Sequence, residues 1–324
     1  MPGQALKICF VGNSRFIGRV CAEAALARGH SVSVLHTGKY PGLVEGASYR
    51  VAERDPAAMR DALGALGPDL VLDTQCMCEE DAQALLSASR GLTTRLLVLS
   101  SQDVYAQFGR LLGHPGPEPE ALVQETSPLT VPFPYRGVAG HRGGERYDKK
   151  EVERVLREGA GDYRSVVALR LPAVYGRHDS TRRFGWVLDA LDRGEHTFPA
   201  IEGGAWRWTH GHIDEIAAAS LDVAEAAPEG WEAFNLGDPE TPSVGEWVLE
   251  IAAAVGVEAT LEPCTGELPE AFSHLGAMPN DFVVGTSKVE PLLGERRRLS
   301  RAERLSDLVA WLRQSRPDEA SSEG

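Results

Sequence analysis

Two glycines, Gly12 and Gly18, bracket Asn13, Ser14, Arg15, Phe16 and Ile17 just after an apolar run at residues 6–11. A glycine at a strand end permits a tight turn, and a second six residues on lets the following helix lie close to that strand. A helix starting there offers unpaired N–H groups and a partial positive charge, which suits a pyrophosphate. The chemistry of this segment is therefore the cradling of a dinucleotide. A plain structural turn would use the same glycines; a strand–turn–helix placed first in a series of such units favours the nucleotide. A second apolar run ends at His36, with Lys39 soon after and no acid before Glu45. An acid at the end of that strand bonds the ribose 2′-hydroxyl of NAD, and its absence beside Arg15, His36 and Lys39 favours NADP(H) over NAD(H). Glu53, at the end of a third run, is either a partner for the adenine or a solvated surface acid.

Other reactive residue types lack a workable spacing. Cys76 and Cys78 are separated by one residue and have no second Cys or His pair nearby, so they do not read as a zinc site. His210 and His212 can share a strand face, but no third metal ligand is evident. There is no Gly-x-Ser-x-Gly elbow, which leaves serine hydrolysis unsupported. The net charge of −14 disfavours nucleic acid and anionic membranes as partners. No apolar run approaches the roughly 20 residues of a spanning helix. Five cysteines in a chain without a secretory leader pattern lead us to expect a reduced, cytoplasmic protein with a small-molecule substrate.

The elements that must position these residues follow from periodicity and punctuation. Strands are expected at residues 6–11, 31–35, 48–52, 69–73, 94–99, 165–171 and 232–236. Helices are expected at 16–28, 56–66, 79–89, 144–158, 181–193, 213–226, 243–255 and 302–314. Residues 108–143 hold six prolines and six glycines and read as a long loop. The tail from Ser315 reads as disordered. The expected fold class is α/β, a Rossmann-type doubly wound parallel sheet with a smaller C-terminal substrate-binding lobe. The nucleotide domain would cover 1–175, completed by about 207–240. The lobe would take 176–206 and 241–314.

On these residues the chain resembles the extended short-chain dehydrogenases, also called the NAD-dependent epimerase/dehydratase family. The loop Gly12-Asn13-Ser14-Arg15-Phe16-Ile17-Gly18 is similar to the family's G-x-x-G-x-x-G, in a form carrying Arg15 for the middle glycine and shared with a bacterial and plastid subgroup. Ser100-Ser101-Gln102-Asp103-Val104-Tyr105 resembles its SS-x-x-VY signature. Leu169 to Gly176 resembles LR-x-x-x-VYG. His212-Ile213-Asp214-Glu215-Ile216-Ala217 resembles H/Y-V-D-D-x-A.

The resemblance implies an NAD(P)(H)-dependent oxidoreductase, epimerase or dehydratase acting at a carbinol or ketone of a polar small molecule, either nucleotide-sugar-like or a secondary metabolite. It implies that Ser101 bonds the reacting oxygen and that Leu171 and Pro172 pass the nicotinamide. The family's Tyr and Lys lie four apart on one helix, where the Lys charge lowers the phenol pKa and the Tyr exchanges the proton. Lys149 and Glu153 match the downstream part of that pattern, but the tyrosine position is then Glu145. Tyr147 can serve if the helix starts late; otherwise Glu145 is the acid/base, or the redox step is lost. Nucleotide-sugar members place a diphosphate-binding Arg four residues before the His or Tyr of H/Y-V-D-D. Here Trp208 stands there and Arg207 is one place earlier. Arg207 either contacts the substrate or stacks on Trp206 or Trp208 at the surface. The resemblance also implies a possible homodimer through the helices at 79–89 and 144–158. A second reading is a non-catalytic nucleotide-binding or RNA-associated relative with a degenerate site.

Overall fold

The computed structural model describes residues 5–12, 15–39, 42, 44–131, 135, 145–295 and 297–315. β1 (Lys7–Val11) leads into α1 (Ile17–Ala27), β2 (Ser31–His36) and β3 (Ser48–Val51). α2 (Pro56–Leu66) starts on a proline, and the Asp55 carboxylate accepts from the N–H groups of Ala57 and Ala58. Gly67 ends it in the left-handed region, at φ 56°. β4 (Leu70–Asp73), α3 (Glu79–Ser89) and β5 (Arg95–Ser101) follow, and a 3-10 turn at Gln102–Val104 joins β5 to the short α4 (Ala106–Leu111). Then come α5 (Lys149–Gly159), β6 (Ser165–Leu171), β7 (Ala173–Tyr175), α6 (Gly185–Asp192) and β8 (Thr197–Ala200). The chain continues through β9 (His210–His212), α7 (Ile213–Ala226), β10 (Gly230–Asn235), α8 (Val244–Ala254), β11 (Thr260–Pro263) and α9 (Arg301–Gln314).

Seven strands form one sheet in the order β10-β6-β5-β4-β1-β2-β3, every pairing parallel. Helices cover both faces, which is why the central strands β1, β4, β5 and β6 read as largely apolar runs. On one face Val20 of α1 and Ile216 of α7 pack on Phe10 and Leu169. On the other, Met59, Leu85 and Leu156 of α2, α3 and α5 pack on Cys9 and Val98. The strand order reverses between β1 and β4. Helices there diverge to opposite faces, so the carboxyl ends of these strands border a crevice. A third core gathers Val187, Phe198, Trp247 and Leu308 from α6, β8, α8 and α9. Among the described residues, no helix is long and apolar enough to cross a membrane.

Several boundaries differ from the sequence expectation. The helix expected over 144–158 begins at Lys149, because the Asp148 side chain accepts from the Glu151 N–H and caps it there. The helix expected over 181–193 is confined to α6, since Arg182 and Phe184 have positive φ (48° and 67°) and cannot belong to a helix. The start of the expected loop at 108–143 belongs to α4, and later Val123 bridges Val284 while Leu129 bridges Tyr105. The pairs β7–β9 and β8–β11 were not foreseen; their strands are three or four residues long, too short to show a period. Asn13, Ser14, most of 132–144 and the tail from 316 lie outside the described residues.

Candidate active site

The crevice holds a cavity of about 300 Å3, lined among others by Gly12, His36, Lys39, Glu53, Arg54 and Gln75. Gly12 sits at φ +115°, and a Cβ there would lie 2.8 Å from Gln75 Cγ and from Thr74 Oγ1. Only glycine lets the backbone turn this tightly beside the next strand. Its N–H donates to Leu35 O at 2.9 Å, tying the turn to β2. Arg15 is exposed and Gly18 is buried at the start of α1. His36 Nδ1 accepts from the Gly38 N–H at 3.1 Å, so the ring ends β2 in a fixed orientation. Arg54 was not singled out from the sequence. It pairs with Asp73, which is fully buried at the end of β4, and with Asp81 Oδ1 at 2.9 Å. These carboxylates raise its pKa against the opposing effect of burial, and the ion pair shapes one wall of the cavity.

A second cluster lies where β5 ends. Tyr147 is buried and its hydroxyl donates to Asp103 Oδ2 at 2.9 Å. The Ser101 hydroxyl accepts from the Asp103 N–H at 3.3 Å, beside the same carboxylate. Lys149 is buried one step along, its Nζ donating to Cys76 O at 2.7 Å and Leu99 O at 2.8 Å and standing 5.9 Å from the Tyr147 ring centre. The late start of α5 makes this possible. Tyr147 lies before the helix and its cap, so helical spacing does not apply, and a two-residue spacing brings phenol and ammonium together. Glu145 is exposed and outside the helix, and it does not share a helical face with Lys149.

The electrostatics differ from expectation too. Burial raises the Asp103 carboxyl to about 6, partly offset by its hydrogen bonds to Tyr147 and Ser101. The Tyr147 phenol lies well above its ordinary 10 rather than below it, because burial and the neighbouring Asp103 charge both oppose ionisation. Burial also lowers the pKa of Lys149. At neutral pH the cluster is therefore a carboxylate accepting from a neutral phenol. Sequence reasoning passed over Asp103, which reaches Tyr147 only because the 3-10 turn after Ser101 curls back.

Glu153 fixes α5 against the sheet. Its carboxylate accepts from Ser100 Oγ at 2.6 Å and from Arg170 Nη2 at 2.7 Å, all three residues being buried. Arg170 donates onward to the Tyr105 hydroxyl at 2.8 Å and to Glu125 O at 3.0 Å. Register places Ser101 opposite Leu171, so Leu171 and Pro172 border the same strand ends as the Ser101–Tyr147 cluster.

The model of the NAD dependent epimerase/dehydratase family matches residues 8–237. The chain belongs to that family. GDP-L-fucose synthase of Escherichia coli (strain K12) is 28% identical over 193 residues, which is 54% of this chain and 56% of that protein. The match thus spans little more than half of the relative's length. Among solved structures, UDP-N-acetylglucosamine 4-epimerase from Bacillus cereus superposes with a TM-score of 0.70 at 17% identity, over 95% of this chain and 100% of its own. UDP-glucose 4-epimerase from Bifidobacterium longum, in complex with NAD+ and UDP, gives 0.67 at 16%, covering 95% and 98%. dTDP-glucose 4,6-dehydratase from Bacillus anthracis str. Ames, in complex with NAD, gives 0.69 at 15%, covering 96% and 97%. At such identities the likeness is one of fold.

In this epimerase/dehydratase-family chain Arg207 and Trp208 lead into β9. Arg207 is exposed and committed to Asp281, donating from Nε at 2.9 Å and from its N–H at 2.8 Å. It is Arg183, unmarked in the sequence, whose guanidinium stands 5.7 Å over the Trp208 ring. His210 and His212 are both buried in β9. His210 Nδ1 donates to Trp208 O at 2.7 Å, and burial with the nearby Arg183 charge pushes its pKa down to about 3, so it stays neutral.

Proposed function

We propose that this chain is an NAD(P)(H)-dependent enzyme that moves hydride at a carbinol or ketone carbon of a polar small molecule, yielding a reduced, dehydrated or epimerised product. One observation carries the reading: Ser101, Asp103, Tyr147 and Lys149 converge at the end of β5, on the same strand-end edge as the Gly12 crevice. The crevice fits a dinucleotide, since a Cβ at Gly12 would collide with Gln75 and Thr74 and the adjoining cavity is lined by polar and apolar groups in turn. When bound, the nicotinamide supplies or accepts the hydride.

The chain's own residues divide the remaining work. Gly12 through Gly18, with Asn13, Ser14, Arg15, Phe16 and Ile17, would hold the pyrophosphate at the start of α1. Glu53 would face the adenine. His36 and Lys39 would meet the ribose 2′ position, which makes NADP(H) our preferred cofactor over NAD(H). Two of the three N–H groups of Lys149 go to backbone carbonyls, and the third would reach a ribose hydroxyl. Leu171 and Pro172 would flank the nicotinamide. Ser101 would donate to the reacting oxygen. Tyr147 would exchange the proton with that oxygen, and Asp103, whose pKa is about 6, would take the proton Tyr147 passes on when an alcohol is oxidised. We assign this step to Tyr147 rather than to Glu145, which is exposed. The burial of Tyr147, Asp103 and Lys149 together at the end of β5 argues against the non-catalytic or RNA-associated alternative.

Fluorescence titration with NADPH and NADH, followed by turnover on a carbonyl panel, tests the proposal. We expect NADPH to bind more tightly, and Tyr147→Phe to lower kcat by about 100- to 10,000-fold while cofactor binding persists. Tight cofactor binding with no turnover on any carbonyl would favour the non-catalytic reading instead.

A further inference from the structure

We infer that the substrate of this enzyme enters with a planar aryl group, which inserts into a tryptophan-lined cavity of the C-terminal lobe, and not with a nucleoside diphosphate. The inference rests on the enzyme reading above and deepens it. The cavity is about 230 Å3 and is walled by Trp186, Trp206, Trp208, His274, His210 and Arg183. An apolar cavity of about 150 Å3 holds benzene, so this one has room for a substituted ring. Its walls come as flat pairs. Trp206 and Trp208 stack with centres 6.1 Å apart and planes 27° apart, and Trp186 and His274 stack at 5.4 Å and 25°. Paired flat surfaces reward a flat ligand. A sugar ring has no π-face to offer them.

A row of packed rings links the cavity wall to the Tyr147 cluster. Rings form a contiguous series from Tyr147 to Tyr135 at 6.2 Å, to Phe108 at 6.0 Å and to Trp208 at 6.1 Å. Trp208 thus stands at one end of a packed row of rings and Tyr147 at the other. Arg183, its guanidinium 5.7 Å over the Trp208 ring and its Nε donating to Val174 O at 3.2 Å, lines the cavity as a partner for an oxygen on the aryl group. Meanwhile Trp208 occupies the place where the resemblance calls for a diphosphate-binding arginine, and Arg207 is held by Asp281 outside the cavity. At position 208 a diphosphate would meet an indole; the cavity's guanidiniums belong instead to Arg183, seated over the Trp208 ring, and to Arg182, which donates to Asp189.

A nucleobase is also a flat ring, so the experiment must separate the two sources. The full chain, saturated with the dinucleotide it binds, is titrated with 4-hydroxyacetophenone and 4-hydroxybenzaldehyde, and separately with uridine, UDP and dTDP. Tryptophan emission and calorimetry report binding. We expect the aryl carbonyls to bind and quench, and UDP and dTDP to fail to displace them. Trp206→Leu and Arg183→Met should each weaken aryl binding by about tenfold, with the dinucleotide Kd moving less than about twofold. Two independent variants guard against one of them merely unfolding the lobe. The inference is overturned if UDP, dTDP or uridine binds more tightly than the aryl probes or displaces them. It is equally overturned if aryl binding survives both substitutions, or if the cofactor-loaded protein binds no aryl probe. Failure of every dinucleotide to bind would instead overturn the enzyme reading, and this inference with it.

Discussion

Asp103 and Tyr147 set the pH behaviour we expect of the chemistry. Their hydrogen bond couples a carboxyl of pKa about 6 to a phenol held well above 10. In alcohol oxidation the carboxylate must be ionised to accept a proton through Tyr147. The raised Asp103 pKa therefore places the rising limb of kcat/KM near pH 6, with activity falling as pH drops below it and level above it. Asp103→Asn should remove that limb and lower kcat, as stopped-flow pH profiles would show; an unchanged limb would assign the ionisation elsewhere. Ser101 and Lys149 were marked as candidates through the family resemblance, Ser101 by the SS-x-x-VY signature and Lys149 by its match to the downstream pattern with Glu153. Asp103 was not legible, since nothing local distinguishes it until the turn after β5 brings it to the phenol. The expectation of a depressed phenol pKa failed for a related reason: it considered the ammonium and omitted the carboxylate and the burial.

α5 is the element on which the arrangement turns. Its first residue carries the ammonium, the residue before its cap carries the phenol, and Glu153 one turn further on anchors it to β5 and β6. A buried ion pair that loses one partner leaves an uncompensated charge, which costs about 3–5 kcal/mol. We predict that Arg170→Met lowers stability by about that amount in urea denaturation, while the double change Glu153→Leu with Arg170→Met is less destabilising than the single one. A double variant as unstable as the sum of its parts would mean that Glu153 stabilises the fold by contacts other than this pair. The start of α5 was in fact written in the sequence, as Asp148 with Glu151 three residues on, a capping pattern. Helical spacing from residue 144 obscured it. At the other crevice element, the turn between β1 and α1, Gly12→Ala should strain a φ of +115° and crowd Gln75. We predict a loss of more than about tenfold in dinucleotide affinity by calorimetry, and an unaffected affinity would remove the turn from the binding site.

Across the whole molecule, the sheet was the most legible feature. All seven of its strands were expected from the sequence, and the central β1, β4, β5 and β6 stood out as largely apolar runs, because a parallel sheet covered on both faces demands near-continuous hydrophobicity. The C-terminal lobe was far less legible. Its small strands β8 and β11 and its cavity depend on contacts between residues 60 or more apart, such as Thr197 with Thr260 and Trp206 with His274. No local period records such contacts. The account nonetheless makes one spatial demand that joins both halves: a dinucleotide laid across β1, β2 and β4 must bring its nicotinamide to Tyr147. A crystal structure of the chain with NADPH measures this directly. The account predicts the pyrophosphate against the backbone at Gly12 and the nicotinamide C4 facing the Ser101–Tyr147 cluster. Density for the cofactor elsewhere, or a crevice left vacant at saturating NADPH and NADH, would contradict it.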